Sequence, residues 1–548
     1  MENLLSKGTK CLIVQSEFSS NSFWNYTDVC KIAGAKYPAA PLGLITVAAL
    51  LPQDWEFNLV DANVGPLLAE HFEWADIVCI GGMLPQQKSM IAIIDRAHDF
   101  GCKVVVGGPD PTSQPDLYKS ADFLVLGAGV ITIPMFLEDL ANGSTSGRYK
   151  SEEMADMTEA VVPRYDLIRF QDYLQVGIQY SRGCPFNCEF CDIIELYGRK
   201  ARTKTPEQVV KELQTLYDLG YRGHVDFVDD NFIGNKKNVK IVLPFIKEWS
   251  IANNYPYFFS TESSINLADD EKLMQMMYDV DFRFVFVGIE SPDDEVLRSA
   301  QKKQNINKPI AEAVKKIYEY GMIVNGGFIV GFDNEPDTTA DGLINCIQDA
   351  GICMAMVGKM YALPQTQLTK RLQSEDRLFE ANSEIRDTDI ELDQMTSGLN
   401  FITSRPRLDV LHDYVNVIEQ IYDPKNYYDR IIYTGLNLNP ANKYKPNFKK
   451  ILKSAKAFSK VTAKAGFSKT TGWLYWKAIF IVITRNIKAI EAVVNLAAMY
   501  IHFQKQSQFI IDLTNKEIKS VERIGEENYN RSMFSEENMP LRLTGTQN

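Results

Sequence analysis

Arg182-Gly183-Cys184-Pro185-Phe186-Asn187-Cys188-Glu189-Phe190-Cys191 directly follows the strand-like run Gly177 to Ser181. The loop sets three thiols in a Cys-x3-Cys-x2-Cys spacing. Three thiolates suit a cubane 4Fe–4S cluster with one iron left open, because such clusters take cysteine thiolates as ligands. An open iron can chelate a small molecule carrying both an amine and a carboxylate. Blander readings compete. Zinc would want a fourth Cys or His at tetrahedral spacing, and the nearest histidine in sequence, His224, is remote. Disulfide pairing sits poorly with nine cysteines, an odd count, and with an N-terminus, Met1 to Lys10, that has no apolar signal core. Purely structural thiols are the third option. Cys11, Cys30, Cys79, Cys102, Cys346 and Cys353 lie mostly in apolar runs and read as small core residues.

Outward from the loop, 548 residues are too many for one core and suggest about three domains. A hydrophobic content of 45% and a charged content of 23% are those of a folded globular protein. A reducing cytoplasm is the expected compartment. The net charge of −12 argues against a nucleic-acid partner. That total hides a segregation: Ala441 to Ser520 carries 15 Lys and Arg against three acids, Glu491, Asp512 and Glu517.

Residues 1–150 alternate short apolar runs with helical stretches. Strands are expected near Cys11–Val14, Phe57–Val60, Ile77–Gly81, Val104–Gly107 and Phe123–Gly127, with helices over Leu42–Leu51, Met90–Phe100 and Thr132–Leu140. The alternation predicts a parallel, doubly wound, Rossmann-like sheet with its ligand at the carboxyl ends of the strands. Glycines gather there: Gly81-Gly82-Met83, Gly107-Gly108-Pro109 and Gly127-Ala128-Gly129. They let a backbone approach a large flat ligand. No G-x-G-x-x-G follows the first strand, which disfavours a dinucleotide.

A linker is expected over 151–170. Over 171–370 strand and helix repeat six times, with strands near Gly177–Ser181, Gly223–Val228, Tyr257–Thr261, Phe282–Gly288, Ile323–Val330 and Met354–Tyr361. Six parallel units predict an incomplete (β/α)6 barrel of the TIM type, with its site at the strands' C-terminal ends. The cysteine loop lies after the first of them.

The loop in this setting resembles that of radical SAM enzymes. The resemblance implies that Phe190 packs near the adenine of S-adenosylmethionine (SAM), that Asp229 and Asp230 suit its ammonium, and that Glu290 and Ser291 meet ribose hydroxyls. Gly327, Ile329 and Gly331 would supply backbone and apolar surface for adenine. Placed before that loop, Ala39-Ala40-Pro41-Leu42-Gly43-Leu44, Gly107 to Ser113 and Leu126 to Gly129 resemble the cobalamin-binding domain of B12-dependent members. The implied contacts are Pro41, Leu42, Gly43, Gly81, Gly82, Met83, Gly107, Gly108, Pro109, Thr112, Ser113, Gly127 and Gly129. Two departures stand out: Ala128 and Val130 replace the acids of a Gly-Glu-x-Glu, and the Asp-x-His-x-x-Gly cobalt motif is absent. His98 reads as surface or packing, and from their position in the loop after the third strand Met83 or Leu84 is expected to meet the lower face of the cobalt. The stretches Arg182 to Tyr197, Gly223 to Lys237, Phe258 to Asp269, Lys302 to Asn305 and Tyr361 to Leu368 resemble the subgroup of hopanoid C-2 methylases.

Beyond Arg371 helical patterns dominate, making 371–548 a mainly α-helical domain. Trp473 to Phe503 is a long apolar run broken at Lys477, Thr484, Lys488, Glu491, Asn495 and His502, spacings that form one polar stripe on a helix. It is too interrupted to span a bilayer. It packs within a helical cap or, aided by its basic surroundings, meets the inner face of a membrane. His502 reads as surface or packing.

These readings converge on a cobalamin-dependent radical SAM C-methyltransferase acting on an apolar small molecule or lipid, hopanoid included. The resemblance implies a 5′-deoxyadenosyl radical, methylcobalamin as methyl source, and an electron donor such as flavodoxin or ferredoxin. No acid–base dyad is expected. The competing readings are a cobalamin radical SAM cyclase or rearrangement enzyme without net methyl transfer, and a non-catalytic cobalamin- or redox-sensing protein.

Overall fold

The computed structural model describes residues 7–18, 22, 25–379, 395–446 and 448–534. By packing, the chain gathers into two units. The first takes Met1–Pro185, Ile193–Thr261 and Lys443–Lys449; the second takes Phe186–Asp192, Glu262–Asn442 and Lys450–Asn548. The boundaries read at 150, 170 and 370 follow sequence pattern rather than this packing. Residues 1–6, 380–394 and 535–548 of that scheme lie outside the described residues.

The first unit opens with β1 (Lys10–Gln15), β2 (Tyr37–Ala39), β3 (Glu56–Asp61), β4 (Ile77–Gly81), β5 (Lys103–Gly107), β6 (Phe123–Val125) and β7 (Gly147–Tyr149). All but β2 form a parallel sheet in the order β3-β1-β4-β5-β6-β7. Alternation puts Cys11, Ile13, Cys79 and Val105 on one face, against Leu44, Ala48, Ile133 and Phe136 of the Leu42–Leu50 and Gly129–Ala141 helices. Leu12, Val14, Val78, Val104 and Val106 face the other way, against Met90, Ile93 and Ile94 of Gln87–Asp99. Burial on both faces is why these strands read as unbroken apolar runs.

The same unit carries β8 (Tyr173–Ile178), the short β9 (Ser181–Arg182) and β10 (Arg202–Thr203), β11 (Gly223–Phe227) and β12 (Tyr257–Ser263). β8 pairs in parallel with β2 and with β11, and β11 with β12. β9 and β10 form an antiparallel ribbon. Between them and β11, the Pro206–Asp218 helix starts at Thr205, whose hydroxyl accepts from the Gln208 amide while the Gln208 side chain returns the bond.

In the second unit β13 (Phe282–Glu290), β14 (Ile323–Val330) and β15 (Ala355–Lys359) pair in parallel in that order. The helices Ile310–Glu319 and Thr339–Ala350 connect them. Beyond β15 the described chain is mainly helical, including Arg407–Ile421, Pro424–Asn437, Gly472–Arg485 and the 35-residue Ile490–Ile524. The expected single helix from Trp473 to Phe503 is therefore two. Asn486 ends the first, and its side-chain amide donates to the carbonyls of Gly435 at 2.9 Å and Leu438 at 2.7 Å. A turn at Ile487–Ala489 then redirects the chain. Periodicity read through the break because the polar positions on either side, Thr484 and Lys488, are four residues apart and so keep helical spacing. His502 is buried. Among the described residues no helix is long and apolar enough to cross a membrane.

Candidate functional site

In the first unit the cysteine loop starts at Gly183, where φ is +90° and an added Cβ would lie 2.7 Å from the Lys200 carbonyl and 2.8 Å from that of Gly198. Only glycine fits such a turn. The Cys184 amide then donates to Gly198 O at 3.2 Å. The acids after β11 fasten the approach to this turn. Asp229 accepts from the amide of Tyr180 at 3.1 Å and from that of Ser181, and Asp230 accepts from Gly183 at 3.1 Å. Asn231 Nδ2 donates to Cys184 Sγ at 3.8 Å. Burial pushes the Asp229 carboxyl up to about 7 against the pull of the amides it accepts from. The two acids expected at the SAM ammonium thus hold loop backbone.

The polar face of β11 carries a network around Asp226, which the sequence reading grouped with the acids suited to the SAM ammonium. Asp226 accepts from Gln175 Nε2 at 3.1 Å and from the Ser260 hydroxyl, and His224 Nε2 lies 2.6 Å from Ser260 Oγ. Burial raises the Asp226 carboxyl, with Ser260 opposing. Its signal in the sequence was the alternation of polar His224 and Asp226 with buried Val225 and Phe227.

In the second unit, segment Phe186–Asp192 is knitted in by its backbone: Glu189 N–H donates to Ala300 O at 3.1 Å, and Glu189 O accepts from Leu368 N–H at 2.9 Å. Gln304 Nε2 donates to Cys188 Sγ at 3.6 Å. Lys302 Nζ sits 2.6 Å from Glu290 Oε1, both groups buried, and 5.8 Å from the Phe190 ring centroid. Burial alone would lower the Lys302 ammonium, but Glu290 and the thiols of Cys188 and Cys191 raise it above its ordinary range. Asn305 Nδ2 donates to the carbonyls of Gly288 at 2.9 Å and Ile289 at 3.0 Å, bracing the bulge where Glu290 takes φ +65°. Lys302, Gln304 and Asn305 all lie in the Lys-Lys-Gln-Asn stretch noted above.

Also in this unit, a cavity of about 420 Å³ is lined by Phe190, Gly331, Phe332, Asp333, Arg371 and Arg377 among others. Phe190 meets Phe332 edge to face at 5.9 Å. Asp333 accepts from Arg371 at 2.8 Å, from Arg377 and from Ser404 at 2.7 Å. Burial pushes its carboxyl up, yet Arg377, Ser404 and Arg371 together hold it down at about 2. Of the expected SAM contacts, Phe190 and Gly331 line this cavity; Glu290, Ser291, Gly327 and Ile329 do not. Gly327 backs onto Phe286, and Ser291 Oγ accepts from the Asp293 amide at 3.1 Å.

The expected cobalamin contacts of the first sheet collect at the carboxyl ends of the adjacent strands β4, β5 and β6. There Gly107 and Gly108 are demanded by packing, since added Cβ atoms would lie 2.6 Å from Val125 O and 2.9 Å from Gly82 N. Gly43 meets nothing within 4 Å, and Gly127 only Ser151 O at 4.0 Å. Thr112 Oγ1 donates to Gly108 O at 2.7 Å and accepts from Gly127 N–H at 2.9 Å, tying two strand ends together. Met83 is exposed beside them. Among the described residues no three His, Cys, Asp or Glu side chains, the loop cysteines included, gather as a single-ion metal site requires.

A profile described as the radical SAM superfamily matches residues 178–347, and one described as a domain of unknown function, DUF4070, matches 366–516. An uncharacterized methyltransferase of Synechocystis, sll1242, is 41% identical over 493 residues, covering 89% of this chain and 90% of the relative. Hopanoid C-2 methylase of Rhodopseudomonas palustris is 40% identical over 342 residues, 62% of this chain and 65% of that one. The solved structure of the radical SAM methyltransferase TsrM of Kitasatospora setae, with cobalamin and a 4Fe–4S cluster bound, superposes with a TM-score of 0.58 at 14% identity. The match covers 83% of this chain and 100% of TsrM, and at that identity the likeness is one of fold.

Proposed function

Since the chain belongs to the radical SAM superfamily, in one family with the Synechocystis methyltransferase, we propose that it is a cobalamin-dependent C-methyltransferase acting on an apolar lipid of the hopanoid kind. In this reading Cys184, Cys188 and Cys191 hold a 4Fe–4S cluster. Phe190, Gly331 and their neighbours would receive SAM, and the strand ends with Gly43, Gly81, Gly82, Gly107, Gly108 and Gly127 would receive cobalamin, with Met83 and Leu84 in the loop beside them. When bound, these groups supply a reducing electron, a hydrogen-abstracting carbon radical and a transferable methyl group.

The chain's own residues orient and shield. Asp229 and Asp230 fix the turn that presents Cys184. Asn231 and Gln304 donate to the sulfurs of Cys184 and Cys188, which lowers the energy of their anionic form. Lys302 keeps a buried positive charge beside the thiols of Cys188 and Cys191. No side chain is asked to move a proton. An external one-electron donor, of the flavodoxin or ferredoxin kind, completes the scheme.

The observation that carries the reading is the three-cysteine loop, with side-chain amides donated to two of its sulfurs. The test is anaerobic reconstitution with iron, sulfide and cobalamin, followed by incubation with unmethylated hopanoid and methyl-labelled SAM. One labelled methyl in the lipid is the expected outcome. SAM cleavage without labelled lipid would move the enzyme to another substrate, and a product changed in rings but not in mass would make it a cyclase. Failure to form the cluster's absorbance would overturn the scheme.

A further inference from the structure

Residues 448–488 contain ten Lys and Arg and no Asp or Glu. Ten of the 21 large apolar side chains exposed among the described residues fall in the same short stretch. Charge and apolar exposure are therefore concentrated together, which an ordinary solvated face does not do.

The Gly472–Arg485 helix shows how. Tyr475, Ala478, Ile479 and Val482 are buried, on the side packed against Pro424–Asn437 and Ile490–Ile524. The opposite side carries Trp473, Trp476, Phe480 and Ile483, continued by Ile487, at spacings of three, four, three and four residues. That is one face of a helix. Their exposures are 80%, 45%, 69%, 47% and 65%. The preceding Phe448–Val461 helix repeats the device: Ile451, Leu452 and Phe458 stand exposed, with lysines at 453, 456 and 460 on the remaining perimeter.

We propose that this double stripe is an in-plane docking surface for an anionic lipid bilayer. Indole and phenyl rings suit the zone between acyl chains and head groups. The lysines suit acidic head groups. A second copy of the chain fits less well, because two such faces would set their lysines against one another. A nucleic acid would take the lysines and stack on the rings but leave Ile451, Leu452, Ile483 and Ile487 in water. The proposal deepens the lipid-substrate reading and rests on it only for its purpose, since a bilayer can be bound without turnover.

The test is flotation of the full chain with vesicles of phosphatidylcholine, alone or mixed with phosphatidylglycerol. Binding to the mixed vesicles, weakened by salt, is expected, together with a blue shift of tryptophan emission that Trp473→Phe reduces. The pair Trp473→Glu and Phe480→Glu should lower partitioning at least tenfold. Removing one lysine, as in Lys469→Ala, should cost about fivefold. Both side chains of the pair are exposed, so the thermal melt should stay in place and show that the variant is folded. Absence of binding to mixed vesicles, or binding unmoved by the double variant, overturns the proposal. So does a dimer in sedimentation that the double variant dissociates. Failure of methyl transfer to dispersed hopanoid would leave the vesicle result standing, which separates the two readings.

Discussion

The strand ends of the first sheet and the turn before Cys184 are shaped in opposite ways. At β4, β5 and β6 the backbone is stripped: glycines let neighbouring strand ends touch, and Gly43 and Gly127 leave room beyond. At Cys184 the backbone is tied by added groups, with the carboxylates of Asp229 and Asp230 accepting three amides of the preceding residues. An extra methyl threatens the first region, and a lost oxygen threatens the second. A wide, flat ligand needs a smooth floor, whereas a small set of sulfur ligands needs fixed bearings.

The sharpest break is Cys184→Ala. It should abolish the cluster's absorbance and reduce 5′-deoxyadenosine formation to background, while shifting a urea melt by less than about 1 kcal/mol. Retained absorbance would show that the turn is held for another purpose. Asp229→Ala comes next, because it leaves two buried amides without an acceptor, at roughly 2–4 kcal/mol. Asp229→Asn keeps one of the two acceptor oxygens and should recover only part of that loss. Equal losses for the two would contradict the tying role.

On the stripped side, Gly107→Ala forces a Cβ against backbone that cannot move aside, at about 1–3 kcal/mol by chemical denaturation. Carboxylate tying recurs at Asp333 in the second unit. Its folded value of about 2 lies below the ordinary 3.8, so its contribution is full above pH 4 and is lost as pH falls through 2. The linkage amounts to about 2 kcal/mol, and Asp333→Asn should flatten the acid limb of stability by that amount. Gly127→Ala has the smallest effect on stability, about 1 kcal/mol for a side chain at φ +80°. A cobalamin titration on that variant should nonetheless show weakened binding, separating glycines needed for packing from those that leave space.

Much of the fold was legible because parallel strands buried on both faces announce themselves as apolar runs; β4 and β14 fall on the residues expected. β2 was not, since three residues including Pro38 carry no periodicity and its partner β8 lies far along the chain. The break at Asn486 escaped because the polar stripe keeps helical spacing across it, from Thr484 to Lys488, while Asn486 itself lies off that stripe. At the site, spacing alone exposed the cysteines. The Lys302–Glu290 pair, the Gln304 contact and the Asp333 cluster depend on residues far apart in sequence coming together, and no local pattern records that.

The grouping of Phe186–Asp192 with chain made much later has a consequence for biosynthesis. Glu189 waits for Ala300 and Leu368 to pair its amide and carbonyl. At ordinary translation speeds of about 5–20 residues per second, the partners emerge from the ribosome roughly 6 to 36 seconds after Glu189. Two of the three sulfurs stay on an unanchored strap during that interval, so iron delivery is best timed after release. A nascent chain stalled before residue 300 should accept no cluster.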